Sequence, residues 1–113
     1  MLKNSPIDRR KYPRVPSDRL VSIFHLDDVP TAGRAQDLSL GGIRFRCIPL
    51  ELELGALLRI CLELQGQRVS VVGRLVRITD IDDLIQEFAV AFVEVEAAAL
   101  ELLRNEIEDA QER

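Results

Sequence analysis

From Leu20 to Phe92, apolar side chains recur at every second position, in short runs separated by turn residues. The clearest runs are Ile43-Phe45-Cys47 set against Arg44 and Arg46, and Leu58-Ile60-Leu62-Leu64 set against Arg59, Cys61 and Glu63. A period of two sends the two sets to opposite faces of an extended strand, so each run has one face to bury and one to wet. The same reading gives strands over Leu20 to Leu26, about Thr31 to Leu38, Ile43 to Ile48, Leu58 to Leu64 and Arg68 to Thr79, and a sixth marked by Phe88, Val90 and Phe92. Turn chemistry separates them: Asp27-Asp28-Val29-Pro30, the Gln65-Gly66 pair suited to a two-residue hairpin, and Asp80-Ile81-Asp82-Asp83. Adjacent Val71 and Val72 followed by Gly73 predict a bulge or bend near that glycine.

After Ala97 the period changes. Leu100, Leu103 and Ile107 form one stripe among Glu101, Arg104, Glu106 and Glu108, which predicts a helix over about 97–110 with Glu94 and Glu96 near its positive end. Six strands joined mostly by hairpins favour closure, because a closed sheet has no exposed edge. The expected fold is therefore mainly β: a six-stranded antiparallel barrel, a C-terminal α-helix plugging one mouth, and a flexible N-terminal arm. Residues 1–18, with Pro6, Pro13 and Pro16 and no apolar period, make the arm, and residues 19–113 make the barrel and helix.

A chain of 113 residues supports one core, so function must lie on one surface or in one cleft. No apolar run reaches spanning length and no signal-peptide core is present, which predicts a cytoplasmic protein without membrane insertion. Cys47 and Cys61 stand alone inside apolar runs, without the CxxC or Cys/His spacing of a metal site or a disulfide framework. The net charge of −4 argues against binding a nucleic acid polymer, which needs a broad basic face. Charge is unevenly spread, however. Lys3, Arg9, Arg10, Lys11, Arg14 and Arg19 face only Asp8 and Asp18 in the first nineteen residues, six minus two, or about +4. A local positive patch on an acidic body suits a small anion.

Two segments carry site chemistry. Arg10 and Arg14 are four apart with Pro13 stiffening the backbone between them, and guanidinium forks bond phosphate oxygens in pairs. The stretch Asp37-Leu38-Ser39-Leu40-Gly41-Gly42 offers a carboxylate, a hydroxyl and a turn with little bulk. Asp37 can accept from a guanine N–H, and Ser39 can donate to a phosphate or ribose oxygen; equally, both side chains can bond only their own turn. A Ser39, His25, Asp37 triad lacks a nucleophile elbow and an oxyanion hole, so no enzymatic activity and no catalytic residue is expected. His25 alternates with Val21 and Ile23 and reads as a structural residue; Tyr12 can stack on a base or anchor the arm.

Arg10-Lys-Tyr-Pro-Arg14 matches RxxxR, and Asp37-Leu-Ser39-Leu-Gly-Gly42 matches D/NxSxxG. In both motifs, their order and the strand pattern after them, the chain resembles the PilZ domain family, receptors for cyclic-di-GMP built on a six-stranded barrel with a C-terminal helix. The resemblance covers essentially the whole chain and leaves no room for an attached output domain. It implies that Arg10 and Arg14 bind the ligand from the arm while Asp37, Ser39 and Gly42 form the receiving shelf. Arg9, before the first motif arginine, leans toward a stacked pair of nucleotides. Arg46, on the wet face of the third strand, and Arg77 are further candidates, since a planar cation packs on guanine.

The function expected is that of a cyclic-di-GMP sensor, with no cofactor and no metal, whose arm is ordered by the ligand and signals to a downstream protein. The rival is an adaptor of the same fold that binds protein only. A third class, an oligonucleotide-binding barrel, is disfavoured by net charge and by aromatic residues making up only 4% of the chain.

Overall fold

The structure is a computed structural model that describes residues 12–26 and 29–112. Alternating burial follows the alternating sequence: Ile43, Phe45 and Cys47 are buried while Arg46 between them is exposed, and Leu58, Ile60, Leu62 and Leu64 are buried while Arg59 and Glu63 are exposed. The strands are β1 (Val15–Pro16), β2 (Leu20–His25), β3 (Thr31–Leu38), β4 (Gly42–Cys47), β5 (Leu57–Leu64), β6 (Gln67–Asp80) and β7 (Gln86–Glu94), followed by α1 (Ala97–Gln111). All pair antiparallel in the order β1-β3-β2-β5-β6-β7-β4, and a β3–β4 pairing closes six of them into a barrel.

The apolar spacing predicts six strands and an irregular 1–18, so β1 is an addition: its two residues lack any period of their own. Val15 is the one apolar residue among its neighbours and is buried, and Val15–Pro16 pairs with Leu38 and Asp37 along the side of β3 that β2 has vacated. A proline is tolerated there because a two-residue edge strand leaves its missing N–H facing no partner. In effect β1 and β2 are one broken strand, bridged by Ser17 N–H to the Gln36 carbonyl at 3.1 Å and Ala35 N–H to the Arg19 carbonyl at 2.9 Å.

The Gln65-Gly66 hairpin forms as the sequence predicts, with φ of 51° and 79° at its two central residues, the positive pair that a tight turn between twisted strands requires. The bulge expected near Gly73 is also present, but its extra residue, Val93, lies on the partner strand. Gly73 itself faces inward in phase with Val71 and Leu75. A Cβ there would lie 2.3 Å from Val90 Cγ1, so the glycine makes room for the strand opposite.

Phe45 and Phe88 are cross-strand partners with ring centroids 5.6 Å apart, and both are fully buried at the centre of the core. One mouth is closed by α1, which buries Ala99, Leu102, Leu103 and Ile107; Leu100, expected in that stripe, is only half-buried. Arg19 ties the helix down, its guanidinium donating to the Glu106 carboxylate and to the Glu63 carbonyl. The other mouth is crossed by the connection from β4 to β5, whose Leu50 and Leu52 pack against the core. Removing Leu103, fully buried under the helix, should cost about 2–5 kcal/mol of stability as alanine. Among the described residues no helix is long and apolar enough to cross a membrane, and no cluster of His, Cys, Asp and Glu could hold a metal ion.

Candidate functional site

Two irregularities in the sheet build the site. In β3, Ala35 pairs with Phe45 and Asp37 with Arg44, so Gln36 is an extra residue on β3. In β6, Leu75 pairs with Val90 and Arg77 with Ala89, so Val76 is an extra residue on β6. A bulge of one residue reverses the phase of the strand beyond it. Ala35 and Leu38 both face the core, three apart, and Gln36 and Asp37 both face outward. Leu75 and Ile78 likewise pack inward, and Val76 and Arg77 face outward.

The bulges lie opposite the paired residues Arg44 and Ala89. The register therefore sets Pro16, Asp37, Arg44, Ala89 and Arg77 in a single row across β1, β3, β4, β7 and β6. Arg14, just before β1, reaches the row from the side. Arg14, Asp37, Arg44, Val76, Arg77 and Ala89 enclose a cleft of about 400 Å³ on the outer wall. Ala89 supplies its floor, since its small side chain leaves the space between the two flanking guanidiniums open.

The charges of this wall are interlinked. Asp37, 13% exposed at its side chain, accepts from Arg14 Nη1 on Oδ1 at 2.9 Å and pairs with Arg44 Nη2 through Oδ2 at 2.6 Å. Arg44 Nη1 also reaches Glu87 Oε2 at 3.2 Å, and Arg46 Nε donates to Glu87 Oε1 at 2.8 Å. Two carboxylates thus hold three arginines apart and at fixed angles, while Arg77 stands without a carboxylate among these pairs. Three guanidiniums and one carboxylate line the cleft, a local excess of positive charge. Arg44 Nε is buried with no hydrogen-bond partner among the described residues. An orphaned donor of this kind costs about 1–3 kcal/mol until an acceptor reaches it.

Ser39 is 5% exposed, and its Oγ accepts from the backbone N–H of Gly41 and of Gly42, each at 3.1 Å. The hydroxyl ties its own turn, which the Ser39 N–H bond to the Gly42 carbonyl at 2.9 Å also closes. Gly42 is required by the approach of β7: a Cβ there would lie 2.4 Å from the Val90 carbonyl oxygen. At Gly41 a Cβ would meet the Tyr12 ring at 2.8 Å, so the arm's tyrosine lies directly over the turn.

Of the residues nominated from the sequence, the structure brings Arg14, Asp37 and Arg77 to one cleft and sets Ser39 and Gly42 in the turn that ends β3. Arg46 does not line the cleft; it is turned to Glu87. Arg9 and Arg10 lie outside the described residues. Arg44, Glu87 and Ala89 were not read as site residues. The available signal was apolar spacing of three in Ala35/Leu38 and Leu75/Ile78, which marks a bulge in each strand.

Comparison with known proteins agrees with the fold. The sequence profile of the PilZ domain matches residues 8–109. No curated protein sequence matches. Among solved structures, the chain is similar to the inhibitor of motility MotI of Bacillus subtilis, with a TM-score of 0.76 and 21% identity over 95% of this chain and 53% of that one. It is similar to the PilZ domain of YcgR from Escherichia coli, solved with c-di-GMP, with a TM-score of 0.73 and 21% identity over 93% of both chains. It also resembles the PilZ domain of CeSA from a cellulose-synthesizing bacterium, with a TM-score of 0.68 and 18% identity over 85% of this chain and 96% of that one. The chain spans about half the length of MotI. A barrel closed by six antiparallel strands and a C-terminal helix, with the profile match running through both the arm and the shelf, places this chain in the PilZ domain family.

Proposed function

We propose that this domain is a cyclic-di-GMP receptor without catalytic activity, and that it binds the nucleotide in the cleft between Arg14, Arg44 and Arg77. The observation that carries the reading is the single cross-strand row: Asp37, Arg44, Ala89 and Arg77 are set side by side by two bulges, and Arg14 lies against Asp37. Guanidiniums held in that row supply paired donors for phosphate oxygens and for guanine O6 and N7. Asp37 supplies an acceptor for the guanine N1–H and amine.

Binding on this reading is an exchange of partners. In the structure Arg14 holds Asp37. A phosphate that draws Arg14 away frees Asp37 Oδ1 to accept from guanine, so one contact arms the other. The Arg14 shift moves the arm, because Val15 and Pro16 follow it directly on the edge of β3. A downstream protein would read that movement. Arg9 and Arg10, from the same arm, add the charge for a second, stacked nucleotide, and Arg46 contributes by holding Glu87 in place beneath Arg44.

Isothermal titration with cyclic-di-GMP tests the reading and counts the nucleotides bound. Binding weakened at least tenfold in Arg14→Ala and in Arg44→Ala supports it; wild-type affinity in both variants overturns it. The adaptor reading has one observation in its favour: both oxygens of Asp37 are paired with arginines, Oδ1 with Arg14 and Oδ2 with Arg44. A flat titration with the wild-type chain selects it.

A further inference from the structure

The mouth opposite the helix is built from three connections: the β2–β3 loop after His25, the β4–β5 crossing over 48–56, and the β6–β7 turn over 81–85. Apolar side chains are concentrated there in solvent. Val29 is 84% exposed, Leu26 75% and Leu84 73%, and Ile48, Leu54 and Ile81 are exposed beside them. The first two connections meet over a cleft of about 380 Å³ lined by His25, Val29, Pro49, Leu50 and Leu52 among others. Gln86 Oε1 accepts from the Leu50 N–H at 3.0 Å, which joins the third connection to the second. Exposed apolar side chains scattered singly are ordinary; here six of the eleven large exposed ones among the described residues fall on these three connections, a concentration that marks a contact surface.

The charge around this group selects its partner. Glu51, Glu53, Asp80, Asp82 and Asp83 are exposed on or beside the same connections, and the described residues of the connections contain no lysine or arginine. Arg74 reaches them only from the side wall, donating to the Gly55 carbonyl at 2.9 Å. The turn is braced, Asp82 Oδ1 accepting from the N–H groups of Leu84 at 2.7 Å and Ile85 at 2.9 Å, and the Leu84 side chain stands exposed at its tip.

We infer that this end of the barrel docks a basic amphipathic segment of a partner protein, apolar on the face that enters between Val29, Ile48 and Leu84 and carrying lysine or arginine along its flanks. A second copy meeting the same face would set five carboxylates against five, and an anionic lipid surface would be repelled by them. The surface lies at the end of the barrel away from the arm and shares no residue with the arginine cleft, so it is a second contact, separate from any protein that reads the arm.

The test uses the full chain, isotopically labelled, and a synthetic 18-residue peptide with leucine and lysine placed at helical spacing on opposite faces. A control peptide replaces each lysine by glutamate. The expected result is amide shifts confined to the three connections with the lysine peptide, at least tenfold weaker binding of the glutamate peptide, and at least tenfold weaker binding of the lysine peptide by the double variant Ile48→Asp/Leu84→Asp. Circular dichroism checks the fold of that variant, and Val29→Asp carries the test should it not fold. Equal binding of both peptides, shifts on the arginine wall or the helix, or undiminished binding by the variants overturns the inference. So does a dimer by sedimentation that these variants break, or cosedimentation of the wild-type chain with phosphatidylcholine vesicles. No nucleotide is present in this assay, so a chain that fails to bind cyclic-di-GMP but captures the lysine peptide sinks the receptor reading and leaves the docking surface standing.

Discussion

The arginine wall and the acidic mouth are built by opposite means. On the wall, the working side chains sit in one row of a closed sheet, held from both sides by ladder hydrogen bonds, and nearly every charge has a counter-charge: Asp37 between Arg14 and Arg44, Glu87 between Arg44 and Arg46. At the mouth, the apolar tips sit on connections, exposed, with carboxylates that face solvent. The strand-borne part of this wall, Asp37, Arg44, Ala89 and Arg77, is held by register and suits a small rigid anion, so that only Arg14 and the arm have to rearrange on binding. The mouth has area and like charge without a pocket of matched donors, which suits a large flexible partner whose own apolar face provides the contact. On these two proposals one small domain carries a ligand site and a protein contact that share no residue.

That separation is open to attack at both ends. The largest effect is expected at Gly42→Val, where the new side chain would push β4 from β7 at the Val90 carbonyl; thermal or urea unfolding should show a loss of about 3 kcal/mol or more, whereas Leu84→Asp at the mouth should leave stability within about 0.5 kcal/mol. Next comes Arg14→Ala, expected to weaken cyclic-di-GMP by about 1.5–3 kcal/mol, roughly ten- to a hundred-fold or more in calorimetry, while leaving peptide binding at the mouth unchanged. A residual affinity equal to wild type would show that Arg14 serves only Asp37.

Ala89→Leu is a finer probe, since it adds bulk to the floor of the cleft and removes no charge. Calorimetry should find the nucleotide about tenfold weaker with the unfolding midpoint nearly unmoved, and full affinity would place the ligand off the row.

At neutral pH the smallest effect concerns the two thiols. Burial pushes the Cys47 thiol from its ordinary 9.0 up to about 11. The unfolded chain gives up that proton first, so stability should be insensitive to this group below about pH 8 and should fall as pH rises from 9 toward 11. Alkylation of the native chain should accordingly mark half-buried Cys61 and reach Cys47 only on unfolding, as mass spectrometry can read.

Alternation in Ile43 to Cys47 and Leu58 to Leu64, the Gln65-Gly66 turn and the changed period after Ala97 were enough to write the barrel and the helix, because local periodicity determines which face of an element must be buried. The motif residues Arg14 and Asp37 were likewise legible by type and spacing. Arg44 was not distinguishable from Arg46: both alternate outward on β4, and only the strand opposite decides that one meets Asp37 and the other Glu87 alone. Ser39 shows the same ambiguity between ligand and turn, and in the structure its hydroxyl bonds Gly41 and Gly42.

The chain's own order of residues determined its strands, its helix and the chemistry available to a ligand, since period and composition act within a few residues. Tertiary structure alone decided which of those groups meet. Asp37 and Arg77 lie forty positions apart in the chain, and they join one row because two bulged strands flank the β4–β7 pair, a matter of register between segments that no local pattern contains.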